Sequence, residues 1–291
     1  MNKIIKKAAA IFAAAAAAST LCSCTTTPPN GMVSYNFKEM SMDFIQLAGP
    51  KDGDKIAIFD TDYGEIRTVL YEQYAPETTA AFIKNAEDGK YDGIPVKGVS
   101  EDVYFLSGGE ENSKGQYVGR QSNTELILNE YTPELWPFKG SLLSFSEQQG
   151  YGDSRWFFCN DDKVNNTESA IEELKSQALQ KEDDVERSKM IALFDKFYEI
   201  GGVFGMAGEY TVFGQTYKGF DVVEKLSEIP ADDNGMATEE VMIKSVTISE
   251  FHDGDQVEKV PATHPKTDEG NSDKDNSDTN SDADNTSSSN E

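Results

Sequence analysis

The sequence predicts one domain that mixes short β-strands with helices. Two β-rich runs stand on either side of a polar four-residue turn, which is the pattern of a hairpin. A helical run with proline in its first turn comes next. Further along, short β-rich runs are divided by loops that contain glycine, an arrangement that suits a barrel. Periodicity alone fixes no more than a mixed α and β domain.

The first elements in chain order are the two strands of the hairpin, expected over Lys55–Phe59 and Gly64–Tyr71. The helix begins at Pro76, carries small and apolar residues, and ends before Gly89. A second helix is expected over Phe220–Leu226. Further strands are expected at Val103–Leu106, Ser141–Phe145, Arg155–Cys159, Tyr210–Phe213 and Ile243–Ile248.

An insert of different character lies at about residues 160–202. Ser169–Glu172 has the pattern of a capping box, which predicts the start of a helix. Apolar residues then recur at helical spacing, at Met190, Leu193, Phe194, Phe197 and Tyr198. We expect one or two amphipathic helices. An apolar stripe of this kind usually packs on its own domain, which we favour over a surface that docks a partner.

The segment Gly208–Gly214, followed by Gly219–Leu226, closely resembles the one by which cyclophilins complete their proline pocket. Cyclophilins are the barrel-type peptidyl-prolyl isomerases. Tyr91–Gly93 and Leu106–Gly109 frame the place where those enzymes have a Phe-His-Arg-Val signature. The resemblance implies a mainly β fold over residues 50–251, a closed antiparallel barrel capped by two helices, with the helical insertion added to it.

The apolar half of the family's pocket is well represented. Ser154–Cys159 is similar to the family's Ser-Gln-Phe-Phe-Ile run, which puts Phe157 where the proline ring rests. The resemblance also assigns Tyr104 and Phe105 to the family's Phe-Met pair. Aromatic residues in β-rich runs are generally core residues, which is the alternative interpretation. The remaining matches are Met206 at a pocket leucine and Tyr210 at a position of His or Tyr.

The polar half departs from the family's pattern. Gly98 stands near the place of the family's catalytic arginine, and Ser107 replaces the family's glutamine that holds the substrate backbone. Ser146 replaces a small pocket alanine, and Arg155 replaces a second glutamine. The segment after Gly98 is one residue longer than usual.

Two cations are candidates for the arginine's place. Lys97 is one because of the uncertain register, and Arg155 is the other because it should border the same groove. Lysine keeps the charge but lacks the planar fork of arginine, which addresses two acceptors together. An ordinary solvated surface charge is the alternative interpretation of both.

The reaction that the resemblance implies needs no cofactor. Rotation of the bond before proline is hindered by about 18–20 kcal/mol, because the amide must lose its resonance. An isomerase needs an apolar slot for the proline ring and a donor or cation directed at the twisted amide. The expected substrates are proline-containing unfolded or exported polypeptides, and we expect a monomer. The rival interpretation is a non-catalytic chaperone or adaptor that keeps the slot, and a third is a scaffold that docks partners on the insert.

The sequence lacks the residues that other common types of active site require. Its histidines, His252 and His264, stand at the end of the predicted domain and in the tail, so neither a catalytic triad nor a histidine zinc site is expected. We predict no metal site. With 26 basic and 52 acidic residues the net charge is −26 at pH 7, which excludes nucleic-acid binding because phosphate recognition needs clustered Lys and Arg.

The two ends of the chain predict where the protein acts. Lys3, Lys6 and Lys7 precede an apolar run of about 11 residues, too short to span a bilayer and typical of a secretory signal. Residues 1–23 are predicted as a lipoprotein signal peptide, with Cys24 as the lipidated residue. Residues 24–49 follow as a tether. We therefore expect the extracytoplasmic face of a bacterial membrane, with attachment through the lipid alone.

The last part of the chain, residues 252–291, is predicted as an acidic tail. Its Ser, Asn and Asp content is typical of disorder, because too little apolar surface is available to offset the ordering entropy. This composition is strongest over residues 266–291.

We predict that Cys24→Ser releases the protein from membranes. The lipid chains are the expected anchor, since anionic lipid repels a protein of this charge. Cell fractionation followed by immunoblotting checks this, with Cys22→Ser as the matched control that should remain in the membrane fraction. Unchanged membrane association of Cys24→Ser would contradict the anchor.

Overall fold

The computed structural model describes residues 35–111, 117–118, 126–161, 163 and 166–264. The predicted signal, Cys24 and residues 265–291 lie outside this part. Its α-helices are α1 (Pro76–Glu87), α2 (Glu168–Ala178), α3 (Asp184–Ile200) and α4 (Phe220–Ser227). Its strands are β1 (Lys55–Thr61), β2 (Gly64–Leu70), β3 (Ile94–Pro95), β4 (Gly98–Ser100), β5 (Tyr104–Gly108), β6 (Glu110–Glu111), β7 (Tyr117–Val118), β8 (Ile127–Leu128), β9 (Ser141–Phe145), β10 (Tyr151–Gly152), β11 (Arg155–Cys159), β12 (Val212–Lys218) and β13 (Met242–Glu250).

One nine-stranded antiparallel sheet makes the fold mainly β. Its order is β3-β13-β1-β2-β12-β9-β11-β5-β4, and the predicted hairpin is β1 and β2. The two edge strands, β3 and β4, are separated in the chain only by Val96 and Lys97. Val96 N–H donates to the carbonyl of Val241 near β13, and Lys97 N–H donates to the carbonyl of Leu106 in β5. The sheet is therefore curled, and a two-residue link joins its two edge strands.

The main core lies inside this curl and is covered by α1 and α4. Helix α1 contributes Phe82 and Ala86 to the core, and α4 contributes Val222, Val223 and Leu226. Proline in the first turn of α1 suits a helix start, because a first-turn N–H has no helical partner to lose. Both helices lie where the sequence predicted them, within one residue.

The insert forms two helices, α2 and α3. The capping residue of α2 is Thr167, whose hydroxyl accepts from the N–H of Ala170, so the capping box predicted at Ser169 is wrong by two residues. Helix α3 buries Leu193 and Phe197 against Trp136 and Phe138, with 4.6 Å between the ring centroids of Phe197 and Phe138. The apolar stripe therefore packs on its own domain.

The end of α3 turns the chain back toward the sheet through two glycines. Gly201 and Gly202 have φ values of +85° and +118°, which are strained for residues with a side chain. A Cβ atom at Gly202 would lie 2.4 Å from the carbonyl oxygen of Pro137. This close approach places the short 3₁₀ helix Phe204–Met206 against the face of the sheet that points away from the main core.

Two segments outside the predicted domain pack against it. Residues 35–48, placed in the tether by the sequence, bury Met40 and Gln46. The Gln46 amide donates to the carbonyl of Trp136 at 2.8 Å and to Gln215 Oε1 at 2.9 Å. At the other end, His264 stacks on Tyr198 with 4.2 Å between ring centroids.

No helix among the described residues is long and apolar enough to cross a bilayer.

Truncation should separate the packed part of the tail from the rest. Deletion of residues 266–291 should leave the melting temperature unchanged, because their composition offers nothing to a core. Deletion of residues 252–291 also removes the hydrogen bond from Glu258 N–H to the Tyr217 carbonyl and the His264 stack, and should destabilise the protein by about 1–3 kcal/mol. Thermal unfolding followed by circular dichroism checks both. A clear drop on the shorter deletion would mean that residues 266–291 also stabilise the domain.

Candidate substrate-binding site

Three neighbouring strands, β9, β11 and β5, have two distinct faces. In β11, Trp156 and Phe158 belong to the interior core, whereas Phe157 and Cys159 belong to a second cluster on the outer face. The separation follows from strand geometry, because successive side chains point to opposite sides. Phe157 lies opposite Leu106 of β5 and Leu143 of β9. The outer face is therefore apolar at its centre.

An aromatic slot forms on this outer face around Phe157. We define the slot as Phe157, Tyr104, Phe145, Met206 and Tyr210, which share one cluster. The ring of Phe157 is 5.1 Å from that of Tyr210 and 5.6 Å from that of Tyr104, in edge-to-face geometry. Such contacts stabilise an aromatic group beyond the area they bury. Phe157 is 2% exposed and forms the floor, while the two tyrosines are partly exposed and form the sides.

The structure does not bring Phe105 and Ser107 to the slot. Phe105 faces the interior and stacks on Phe158 at 5.2 Å, and Ser107 is buried with its hydroxyl donating to the carbonyl of Pro95 at 2.9 Å. The reason is the alternation of β5, which turns Tyr104 and Leu106 outward instead. Ser146 lies one residue beyond β9, where its hydroxyl accepts from the N–H of Gln148 at 3.1 Å.

Leu106 and Phe145 are two outer-face residues that the sequence prediction missed. Each stands two residues from a side chain already on that face, Leu106 from Tyr104 and Phe145 from Leu143. Period-two alternation along a strand was the signal that could have found them. The ring of Phe145 lies 6.2 Å from that of Tyr210 and parallel to it.

Gly98, which the resemblance places near the family's arginine, has room for a Cβ atom. It pairs with Leu106 across β4 and β5. An ideal Cβ at Gly98 would lie 3.5 Å from the Leu106 Cβ, an ordinary contact distance, and its φ lies outside the left-handed region. Since Leu106 is on the outer face, a side chain at position 98 would start on the same face as Phe157. Lys97 precedes Gly98 and is half-buried.

Arg155 borders the slot, but its charge is compensated. Its guanidinium carbon lies 4.8 Å from the centroid of the Phe145 ring, a cation–π arrangement. Its Nη2 is 2.7 Å from Asp153 Oδ2 and its Nη1 is 3.3 Å from Glu147 Oε1. Burial lowers the pKa of Arg155, but the hydrogen bonds and charges of Asp153 and Glu147 outweigh burial and raise it. The guanidinium is thus a fixed cation held by two carboxylates.

The two tyrosines of the slot are neutral hydrogen-bond donors at physiological pH. Burial raises the pKa of Tyr104 above its ordinary value. Burial, the charge of Glu209 and the neighbouring Tyr104 raise the pKa of Tyr210. Neither hydroxyl has a hydrogen-bond partner among the residues that the structure describes.

A family model supports the resemblance given by the motifs. The model described as "Cyclophilin type peptidyl-prolyl cis-trans isomerase/CLD" matches residues 56–248, more than half of the chain. The chain belongs to the cyclophilin family. Within this cyclophilin, the match spans β1 to β13 and includes every residue of the slot.

Curated relatives carry corresponding names. A Streptococcus pyogenes protein provisionally named a bifunctional phosphatase/peptidyl-prolyl cis-trans isomerase is 21% identical over 75% of this chain, and the match spans 43% of that longer protein. Proteins provisionally named peptidyl-prolyl cis-trans isomerase from Staphylococcus saprophyticus and Staphylococcus aureus are 23% and 22% identical. These two matches cover 70% and 69% of this chain and 98% and 94% of theirs.

Solved structures similar to this cyclophilin include a cyclophilin-type isomerase of Cryptosporidium parvum. It matches with a TM-score of 0.48 and 16% identity, over 68% of this chain and 98% of that one. The same enzyme has also been solved in the presence of the dipeptide Ala-Pro.

We predict that Gly98→Arg raises isomerase activity by about tenfold or more, because one preorganised donor is worth about 3–4 kcal/mol in transition states of this kind. Gly98→Ala is the matched control, since it adds the Cβ atom without a charged group. Gly98→Lys should give a smaller gain, because lysine lacks the planar fork. The measurement is the rate of cis-trans exchange in a proline peptide. Equal rates for the Arg and Ala variants would contradict the assignment of position 98.

Proposed function

We propose that this cyclophilin is a peptidyl-prolyl isomerase of reduced catalytic power that acts on proline-containing segments of exported polypeptides. The observation that carries the proposal is the aromatic slot, in which Phe157 lies beneath Tyr104 and Tyr210 on an otherwise apolar strand face. A proline ring is apolar and rigid, so a slot of this kind binds it by excluding water. Phe157 is the substrate-binding residue on which the proposal depends most.

Catalysis requires stabilisation of the twisted amide beyond that of the planar one. Only interactions that are stronger in the transition state than in the ground state accelerate rotation. The hydroxyls of Tyr104 and Tyr210 flank the floor of the slot and are free to donate to the carbonyl before proline or to the proline nitrogen. A neutral donor is roughly half as strong as a charged one. The tyrosines therefore support a rate that is measurable but lower than an arginine would support.

Arg155 is the one described cation that borders the slot through a ring contact. Its guanidinium is paired with Asp153 and Glu147, and any rotation toward substrate would remove the ion pair of the nearly buried Asp153 carboxylate. Removing one partner of a buried ion pair is costly. We therefore assign Arg155 to the wall of the site, where it orients the ring of Phe145.

The closed barrel and the location are part of the same proposal. Closure is supported by the two-residue link between the edge strands β3 and β4 and by the hydrogen bonds of Val96 and Lys97 to both edges. Action at the outer side of the membrane is supported by the signal pattern before Cys24. A lipid-anchored isomerase would meet exported chains before they fold.

The rival function is a proline-peptide-binding chaperone or adaptor without useful catalysis. Gly98 is the observation that favours it, because the position of the family's arginine offers only backbone. The two functions share the slot and differ only in the rate of cis-trans isomerisation.

We predict that Phe157→Ala abolishes binding of a proline peptide, because the floor of the slot is lost. Phe157→Leu should retain part of it, since the surface stays apolar. Isothermal titration with a short Ala-Pro peptide measures this, with thermal unfolding recorded for every variant. Phe197→Ala on α3 is the control, because it removes an equally buried ring outside the slot. Undiminished binding by folded Phe157→Ala would contradict the site.

We predict that Tyr104→Phe and Tyr210→Phe each lower kcat about threefold to tenfold with little change in KM, because each loses one hydrogen bond worth about 0.5–1.5 kcal/mol. Tyr74→Phe is the control outside the slot. Wild-type activity typical of the family and lost in Lys97→Ala or Arg155→Ala would instead identify the substitute cation. Peptide binding without measurable exchange in the wild type would establish the adaptor.

A further inference from the structure

A second concave surface adjoins the aromatic slot and shares a wall with it. We call it the tyrosine hollow and define it by Tyr35, Tyr131, Leu135, Tyr210 and Val212, which line one shallow, open concavity. Tyr210 faces the slot and the hollow, since its ring is also 5.1 Å from that of Phe157. Consecutive residues of an extended peptide are about 3.3 Å apart. A residue close to a proline held on Phe157 therefore reaches the hollow.

Apart from Tyr210, the hollow is built by residues that are not part of the slot. Tyr35 comes from the N-terminal segment and is held by the ring of Trp136 at 4.8 Å. Tyr131 comes from the segment before β9, and its hydroxyl accepts from the Asn129 amide at 3.0 Å. Leu135 and Val212 provide an apolar base. The hollow thus combines three aromatic rings with an aliphatic floor.

The two segments that supply most of the hollow carry only acidic charges. Residues 126–138 and 203–212 contain Glu130, Glu134 and Glu209 and no lysine or arginine. The Glu130 carboxylate accepts the N–H groups of Glu77 and Thr78 at the start of α1, and Glu134 accepts from the Thr132 hydroxyl. Glu209 differs, because its carboxylate has no hydrogen bond or ion pair among the described residues. Its charge raises the pKa of Tyr131, after the larger effect of burial, and that of Tyr210.

We propose that the tyrosine hollow binds a lysine or arginine side chain of the polypeptide whose proline occupies the slot. Aromatic faces attract a cation, the aliphatic stem of a long basic side chain packs on Leu135 and Val212, and Glu209 supplies the counter-charge. An acidic side chain would be repelled at the same place. The proposal rests on the proposed function, since it needs a proline on Phe157, and it adds the substrate class: basic residues close to the proline.

The test measures the affinity of the protein for short proline peptides. The peptides differ only in the residue before the proline or in the residue after it. Lysine, norleucine and glutamate are compared at each flanking position, because norleucine keeps the stem of lysine without its charge. At one of the two flanking positions, the lysine peptide should bind about threefold to tenfold tighter than the norleucine peptide at low salt. The glutamate peptide should bind more weakly than both. Raising the salt concentration should reduce the preference. Fluorescence anisotropy gives the affinities.

Variants then separate the hollow from the slot. Glu209→Gln and Tyr131→Leu should bring the lysine-to-norleucine affinity ratio close to one, whereas Glu173→Gln, the same charge change on α2, should leave that ratio as in the wild type. Equal affinities for lysine and norleucine peptides in the wild type would overturn the basic-residue preference while leaving the proposed function standing. Failure of every proline peptide to bind would overturn both.

Discussion

The alternation of side chains along β11 is the constraint on which the site depends. Trp156 and Phe158 fill the interior, where the ring of Phe158 lies 5.0 Å from that of Phe59, and this fixes Phe157 on the outer face. A shift of one residue would expose two large interior rings and bury the floor of the slot. Packing of the core and of the aromatic slot is therefore set by one register, and neither can change without the other.

The parts of the fold predicted well from sequence are those with strong local patterns. The hairpin, α1, α4, β9 and β11 each have either turn residues or a helix start that competes with no alternative. The register of β5 was not predictable in this way. Tyr104, Phe105 and Leu106 are all large and mainly apolar, because the outer face of β5 packs in an apolar cluster as its inner face does. No alternation of polar and apolar residues therefore distinguishes the interior from the slot. The resemblance chose Phe105 for the pocket, whereas pairing with β11 turns it inward.

Residues 35–48 show a different limit of sequence reasoning. This segment has no periodic run, and its position is held by Gln46, which reaches Trp136 and Gln215 through buried hydrogen bonds. Such contacts join residues far apart in the chain, and composition alone gives no sign of them. The consequence is functional as well as structural, because the same segment places Tyr35 beside the slot. The contribution of Tyr35 to the tyrosine hollow therefore could not be predicted from the sequence.

Under the proposed function, Gly98 affects activity without affecting the fold. If a bulky neighbour occupied the arginine's place, restoring activity would require repacking of the site. Instead an ordinary contact distance of 3.5 Å is open to a Cβ at this position, on the face that holds Phe157. The strand pairing that positions the site is intact, and Gly98 supplies no side-chain donor. Binding depends on apolar area, which remains, whereas the rate depends on stabilisation specific to the twisted amide. Under the proposed function, absence of the family's arginine should therefore lower the rate far more than the affinity.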